Sequence, residues 1–345
     1  QFNKLLLAKL SKESSNWPLL LGIKNTSYMF LDMVIIVLGF VGLIWGADKF
    51  VFGASVLARH FGVSPLMIGL TIVAFGTSAP EIFSSAVSAL NDKPELAVGN
   101  ALGSNLFNIG VALGVAAMIS PLKPPESLVS KEIPALLLVT FVTGILFLDL
   151  FLGVFDAVVF VAITIYFGYR LFRKKVKAGS PADINDENTG EVNSLQAAAY
   201  MLLGLALLVL SAEALVAAAT SIAESLGVSA AIIGLTVVAL GTSLPELAAS
   251  VTCVLKGHHD LAIGNIVGSN ILNLLAVLPF PGLFAAGAIE PALLYRDFTG
   301  VLILTLMLAY FCYTGVKKGK MISRFNGAVF MSLYLGWFSV MLYQI

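Results

Sequence analysis

Apolar residues in this chain run in long blocks rather than alternating with polar ones. A membrane-crossing helix needs about 20 consecutive, mostly apolar residues. By that measure the pattern predicts ten spans, at 34–57, 66–91, 95–119, 134–151, 154–172, 196–218, 230–255, 260–285, 291–314 and 326–344. Two polar stretches stand apart. Residues 1–32 form a mixed tail whose WPLLLGI run is too short to span, and which looks like neither a signal peptide nor a folded domain. Residues 173–195 are rich in Gly, Pro, Asn and Asp and form the one substantial internal linker. The expected fold is an all-α integral membrane protein, with five helices in 33–172, a linker at 173–195 and five helices in 196–345.

Composition supports the lipid setting. The chain is 58% hydrophobic and only 12% charged, against roughly 25% charged residues in soluble domains. Lys+Arg and Asp+Glu balance at 20 each, so nothing marks a nucleic-acid partner. Cys253 and Cys312 lie in apolar segments and read as small buried hydrophobes, not as a disulfide. Loops after odd-numbered spans carry thirteen Lys and Arg, and the opposite side carries six. Positive charge concentrates on the cytoplasmic side. The expected protein is therefore multi-pass in the cell (inner) membrane, with the linker cytoplasmic and both termini outside.

The polar residues inside the spans repeat. Shifted by 165 positions, residues 69–108 fall on 234–273 without a gap, and 20 of the 40 pairs are identical. GTSAPE at 76–81 meets GTSLPE at 241–246, and GNALGSN at 99–105 meets GNIVGSN at 264–270. Asp48 meets Glu213. With five spans before the linker, the second copy enters the membrane from the opposite side. Inverted repeats around a mid-membrane site recur in secondary transporters.

Each hexamer reads as an interrupted helix. Pro80 and Pro245 lack an amide hydrogen and free a backbone carbonyl, which is tolerated in lipid only where it is buried or lines a wet cavity. Thr77 and Ser78 lie four and three residues before Glu81, so their hydroxyls can share its helical face. Thr242, Ser243 and Glu246 repeat the set, with Thr236 on the same side of the second break. Facing one another, the two copies make an all-oxygen cage. Two buried carboxylates repel unless a cation or proton sits between them, and calcium favours about six to eight oxygen ligands. Ser104 with Asn108, and Ser269 with Asn273, can each present oxygen to one cavity. Competition for two negative charges is the simplest basis for exchange.

Plainer readings compete. Gly99–Gly103 and Gly264–Gly268 fit close helix packing. Serine and threonine in apolar helices often bond back to their own carbonyls, and a lone membrane proline is usually a kink. Asp48, beside Lys49, fits a structural role, and His60, His258 and His259 fall in loops and read as solvated. Only the glutamates resist a plain reading, because an intramembrane carboxylate is functional by default.

GTSAPE with GNALGSN, repeated as GTSLPE with GNIVGSN, resembles the α-repeats of the sodium/calcium exchanger family, within the cation/calcium antiporter superfamily, and is closest to its compact prokaryotic members. The likeness covers about residues 33–345. It implies ten helices in two inverted halves and alternating access. It implies that Glu81 and Glu246 are the central carboxylates and, with Thr77 and Thr242, hold the metal. Ser78 and Ser243 would add hydroxyls or carbonyls, Ala74 and Ala239 carbonyls. Ser104 and Ser269 would line flanking sodium sites, and Asn108 and Asn273 the centre of the cavity. Well-known prokaryotic exchangers carry Asn in the first half and Asp in the second, whereas this chain has Asn in both. The resulting expectation is a monomeric antiporter, not an enzyme and without a cofactor, that exchanges calcium for sodium or protons. A proton-coupled exchanger, an exchanger of another divalent cation and a passive channel stay open as alternatives. An intramembrane hydrolase using Ser78 or Ser243 is disfavoured, since no span places a histidine or lysine near either serine.

Overall fold

The computed structural model describes residues 17–173, 192–228 and 239–344. The expected tail before residue 17, residues 174–191 of the linker, and the first nine residues of the 230–255 span, Thr236 among them, lie outside the described residues.

The chain is helical almost throughout. α1 is Trp17–His60 and α2 is Pro65–Thr77, followed after a break by α3, Ala79–Leu90. α4 is Pro94–Ile119, α5 Leu128–Asp149 and α6 Val154–Arg173. After the linker come α7, Ser194–Ser225, α8, Ala239–Thr242, and α9, Leu244–Leu255. α10 is His259–Phe284, α11 Leu293–Lys318 and α12 Arg324–Gln344. Among the described residues seven helices are long and apolar enough to cross a membrane, and the bent pair α2–α3 would make an eighth. α6, of 20 residues, covers the expected span 154–172. Two short pairings tie the ends together, the strands β1 (Phe151–Leu152) and β2 (Gly287–Ala288), and a single bridge between Leu122 and Ile322.

α1 differs from its expected length. The apolar run suggested a span at 34–57, yet the helix starts at Trp17, inside the segment read as tail. Pro18 sits in the first turn, where its missing donor does no harm, and no later proline interrupts the helix. At about 1.5 Å per residue, its 44 residues are twice what a bilayer core requires. It ends where Gly62 takes the left-handed conformation (φ 62°), and α7 ends in the same way at Gly227 (φ 78°), the equivalent glycine of the second copy.

α1 and α7 pack side by side along much of their length. A Cβ on Gly204 would overlap the Phe50 amide nitrogen, so only glycine allows this crossing. Their outer faces carry exposed Ile44, Trp45, Leu203 and Leu210, which suits lipid. α10 and α4 lie at the centre. The most apolar stretch of α10 is 89% buried and that of α4 72%, against 17% for α1. The two helices carrying GNIVGSN and GNALGSN are thus the core of the protein. Cys253 and Cys312 are both buried thiols, packed as small apolar groups.

One ion pair links the outer pair of helices to the core. Lys256, just past α9, reaches Asp48 Oδ1 on α1 at 2.6 Å, and Lys49 sits 3.3 Å from Oδ2. Both partners are partly exposed, and such pairs contribute about 0–1 kcal/mol. Lys256→Gln is therefore expected to lower the unfolding midpoint in detergent by only a few degrees. A drop of more than about 10 °C would show that the pair acts as a desolvated tie.

Candidate functional site

Both hexamers break their helix at the same residue. Ser78 has φ −85° and ψ 3°, and Ser243 has φ −92° and ψ 6°. The next helix carries a proline in its first turn, Pro80 in α3 and Pro245 in α9. The first break bends the chain by 44°. Glu81 and Glu246 consequently stand in the first turns of α3 and α9, where the positive end of a helix favours a carboxylate. Both are fully buried.

The break also decides which glutamate each serine serves. Spacing along a continuous helix paired Ser78 with Glu81 and Ser243 with Glu246, and that expectation is corrected. Ser78 Oγ donates to Glu246 Oε1 at 3.0 Å, and Ser243 Oγ donates to Glu81 Oε1 at 3.2 Å. A ψ close to zero, well away from the helical range, turns each hydroxyl away from the carboxylate that follows it. Ser243 Oγ also lies 3.1 Å from Ser104 Oγ. The two copies of the motif are therefore cross-linked through both glutamates.

The other expected residues divide. Thr77 Oγ1 lies 3.1 Å from the Val73 carbonyl and 3.2 Å from Asn265 Oδ1, so its proton goes to protein acceptors and only lone pairs remain for a cation. Thr242 is half-buried at the end of α8, which Ala239 begins. Ala74 is buried, and its carbonyl accepts the Ser78 amide hydrogen at 2.9 Å. Asn108, Asn273, Ser104 and Ser269 are all buried. Asn108 and Asn273 each open a π-helical turn, 108–113 and 273–277, a distortion frequent at functional sites.

Ten buried side-chain polar atoms among the described residues have no hydrogen-bond partner, and seven belong to this motif set: Glu81 Oε2, Glu246 Oε2, both amide atoms of Asn108, Asn273 Oδ1, Asn270 Oδ1 and Ser269 Oγ. Native interiors satisfy nearly all such groups, so this concentration marks a polar pocket that water or an ion can complete. Six of the seven are oxygens. No described lysine or arginine forms an ion pair with either glutamate. No group of three His, Cys, Asp or Glu that could hold a metal occurs among the described residues. A cation here would meet two carboxylates and neutral oxygens, a ligand set suited to hard cations.

Sequence reasoning missed a supporting layer. Asn100 Nδ2 donates to Ser85 Oγ at 2.9 Å and to the Glu81 main-chain carbonyl at 3.2 Å, while Asn265 Nδ2 donates to Ser250 Oγ at 3.1 Å. Asn105 and Asn270 bond to each other's backbone carbonyls. The signal was available, because every one of these residues is duplicated at the spacing of the repeat.

Of two further expectations, one holds for the second copy and one changes. Close packing holds at Gly264 and Gly268, where an added Cβ would come within 2.6 Å of the Leu66 and Leu70 carbonyl oxygens. Among the described residues nothing lies within 4 Å of such a Cβ on Gly103, and only Leu293 does on Gly99. His258 is buried rather than solvated, because it caps α10 against the end of α9, its amide donating to the Cys253 carbonyl at 2.8 Å.

The chain is similar to known proteins. The family described as sodium/calcium exchanger protein matches residues 31–174 and 196–343. CaxA of Alkalimonas amylolytica, described as a putative antiporter, is 41% identical, covering 90% of this chain and 98% of its own. The inner membrane protein YrbG of Escherichia coli is 35% identical, covering 91% and 97%. A solved structure of the sodium-calcium exchanger NCX_Mj, soaked with sodium and strontium, superposes with a TM-score of 0.78 at 31% identity, covering 90% of this chain and 98% of that one.

Proposed function

Because the chain belongs to the sodium/calcium exchanger family, we propose that it binds calcium and its counter-ion in turn between Glu81 and Glu246, at a site midway through the membrane. The observation that carries this reading is the reciprocal pair of bonds, Ser78 to Glu246 and Ser243 to Glu81, each leaving one carboxylate oxygen buried and unsatisfied. Calcium, two sodium ions or two protons can balance the same two charges, and that mutual exclusion is what couples opposite fluxes. Ser104, Ser269, Asn108 and Asn273 add oxygens around the glutamates, with Thr77, Thr242 and the Ala74 and Ala239 carbonyls at the edges.

In this proposal ten helices form two inverted five-helix repeats. Features at equivalent positions of the two copies support it: the caps at Gly62 and Gly227, the breaks at Ser78 and Ser243, and the π turns starting at Asn108 and Asn273 and at Leu128 and Leu293. The linker is cytoplasmic and both termini lie outside, as the loop charges indicate. Transport would then be a movement of α1 and α7 past a core built on α4 and α10, carried out by a single chain in the inner membrane.

The counter-ion has two readings. Sodium follows from the family. Protons are favoured by one observation, that Asn stands at both 108 and 273, so the glutamates are the only acids of the set. Calcium-45 uptake into proteoliposomes under separately imposed sodium, proton and potassium gradients tests both. Uptake is expected to follow sodium or proton gradients and to stop when neither is present. Calcium flux persisting with no counter-ion gradient and no counter-ion on the far side would replace the antiporter with a channel.

A further inference from the structure

We propose that Asn105 is a positioning residue that determines which end of the Asn273 amide faces the transported ion, a role that rests on the reading above in which Asn273 lines the ion site. A carboxylate offers a cation oxygen whichever way it turns. An asparagine offers oxygen at one end and two N–H donors at the other, so an asparagine ligand must be held the right way round.

The holding chain starts at a group that cannot be reversed. The main-chain carbonyl of Asn270 can only accept, and it lies 3.1 Å from Asn105 Nδ2. The Asn105 amide nitrogen must therefore face it, which turns Asn105 Oδ1 the other way. That oxygen lies 3.2 Å from Asn273 Nδ2. It too can only accept, so the Asn273 nitrogen must point at Asn105. The Asn273 oxygen is left as the far end of the amide, buried and without a partner. Reversing Asn273 would press two oxygens together and turn N–H groups toward a cation.

The first half lacks the second link of this chain. Asn270 Nδ2 does donate to the Asn105 carbonyl, at 3.5 Å, but among the described residues Asn270 Oδ1 has no partner and neither amide atom of Asn108 has one. Among the described residues the duplicated site is thus asymmetric at its centre, with Asn273 locked as an oxygen ligand while no hydrogen bond holds the Asn108 amide. Asn105 itself is buried within α4, with both ends of its amide committed to protein partners.

Equilibrium calcium-45 binding to the purified protein tests this with four variants: Asn105→Leu, Asn273→Ala, Asn273→Asp, and Asn105→Leu combined with Asn273→Asp. Residues that orient a metal ligand typically shift affinity by about 10- to 100-fold. Asn105→Leu is expected to raise the calcium Kd about tenfold or more. In the Asn273→Asp background, where both ends are oxygen, the same substitution is expected to change Kd by less than about threefold. An equal loss in both backgrounds, or no loss in either, overturns the positioning role. Unchanged binding in Asn273→Ala would overturn the site assignment itself, which separates the two failures. If leucine prevents folding, Asn105→Ala carries the same comparison.

Discussion

Glu81→Gln and Glu246→Gln are each expected to abolish calcium exchange while leaving a folded protein. Glutamine preserves shape and can still accept from the serine that reaches across, Ser243 for Glu81 and Ser78 for Glu246. It removes one of the two charges that balance a divalent ion. A single charge acting on a cation about 4 Å away is worth roughly 4 kcal/mol per unit charge at an effective dielectric of 20. For a divalent ion the loss doubles to about 8 kcal/mol, more than about five decades of affinity before the relief of burying one charge fewer offsets part of it. Stability without calcium should not fall, because a buried carboxylate costs about 2.5–3.5 kcal/mol on insertion scales and no described basic side chain forms an ion pair with either one. Two measurements check this. Calcium-45 flux in proteoliposomes should fall to background, and the rise in unfolding temperature caused by calcium in the native protein should disappear. Native-like exchange in either variant would remove the glutamates from the mechanism.

Gly268→Val is expected to be nearly as damaging, without touching a charge. A Cβ at this position would lie 2.6 Å from the Leu70 carbonyl oxygen, 2.8 Å from the Leu70 Cα and 2.7 Å from the Ala74 Cβ. Two of those atoms are backbone, so no flexible side-chain end can move aside. Overpacking a tight interior typically costs about 1–3 kcal/mol, occasionally more. Here the strain would push α10 away from α2, and with it Ser269 and Asn273 from their places opposite the first hexamer. Calcium-45 binding and the unfolding midpoint should fall together. A variant that bound calcium normally would show that the α2–α10 approach does not set the geometry of the site.

Much of the site was legible because it was written twice. A single serine or proline in an apolar helix means little, but GTSAPE and GTSLPE with GNALGSN and GNIVGSN, all at one constant offset, singled out the glutamates and their neighbours. The supporting amides were duplicated too, yet spacing alone assigned Asn100, Asn105, Asn265 and Asn270 no role. Their bonds run to partners 15 to 188 residues away, which local periodicity does not reveal. His258 and the start of α1 were misread for a related reason. Loop composition says little about a cap buried between two helices, and a short apolar run says little when the helix simply continues.

Hydropathy and duplication together settled that this chain is a bundle of membrane helices with two acidic notches, since apolar length and repeated polar spacing are properties of the chain itself. Only the folded protein decided that each serine serves the opposite glutamate, that Thr77 also meets Asn265, and that Asn273 is held while Asn108 finds no hydrogen-bond partner among the described residues. Those outcomes depend on a bend at Ser78 and on contacts between segments far apart in the chain. A hydrogen bond across such a distance is chosen by geometry, and geometry of that kind exists only once both halves are in place.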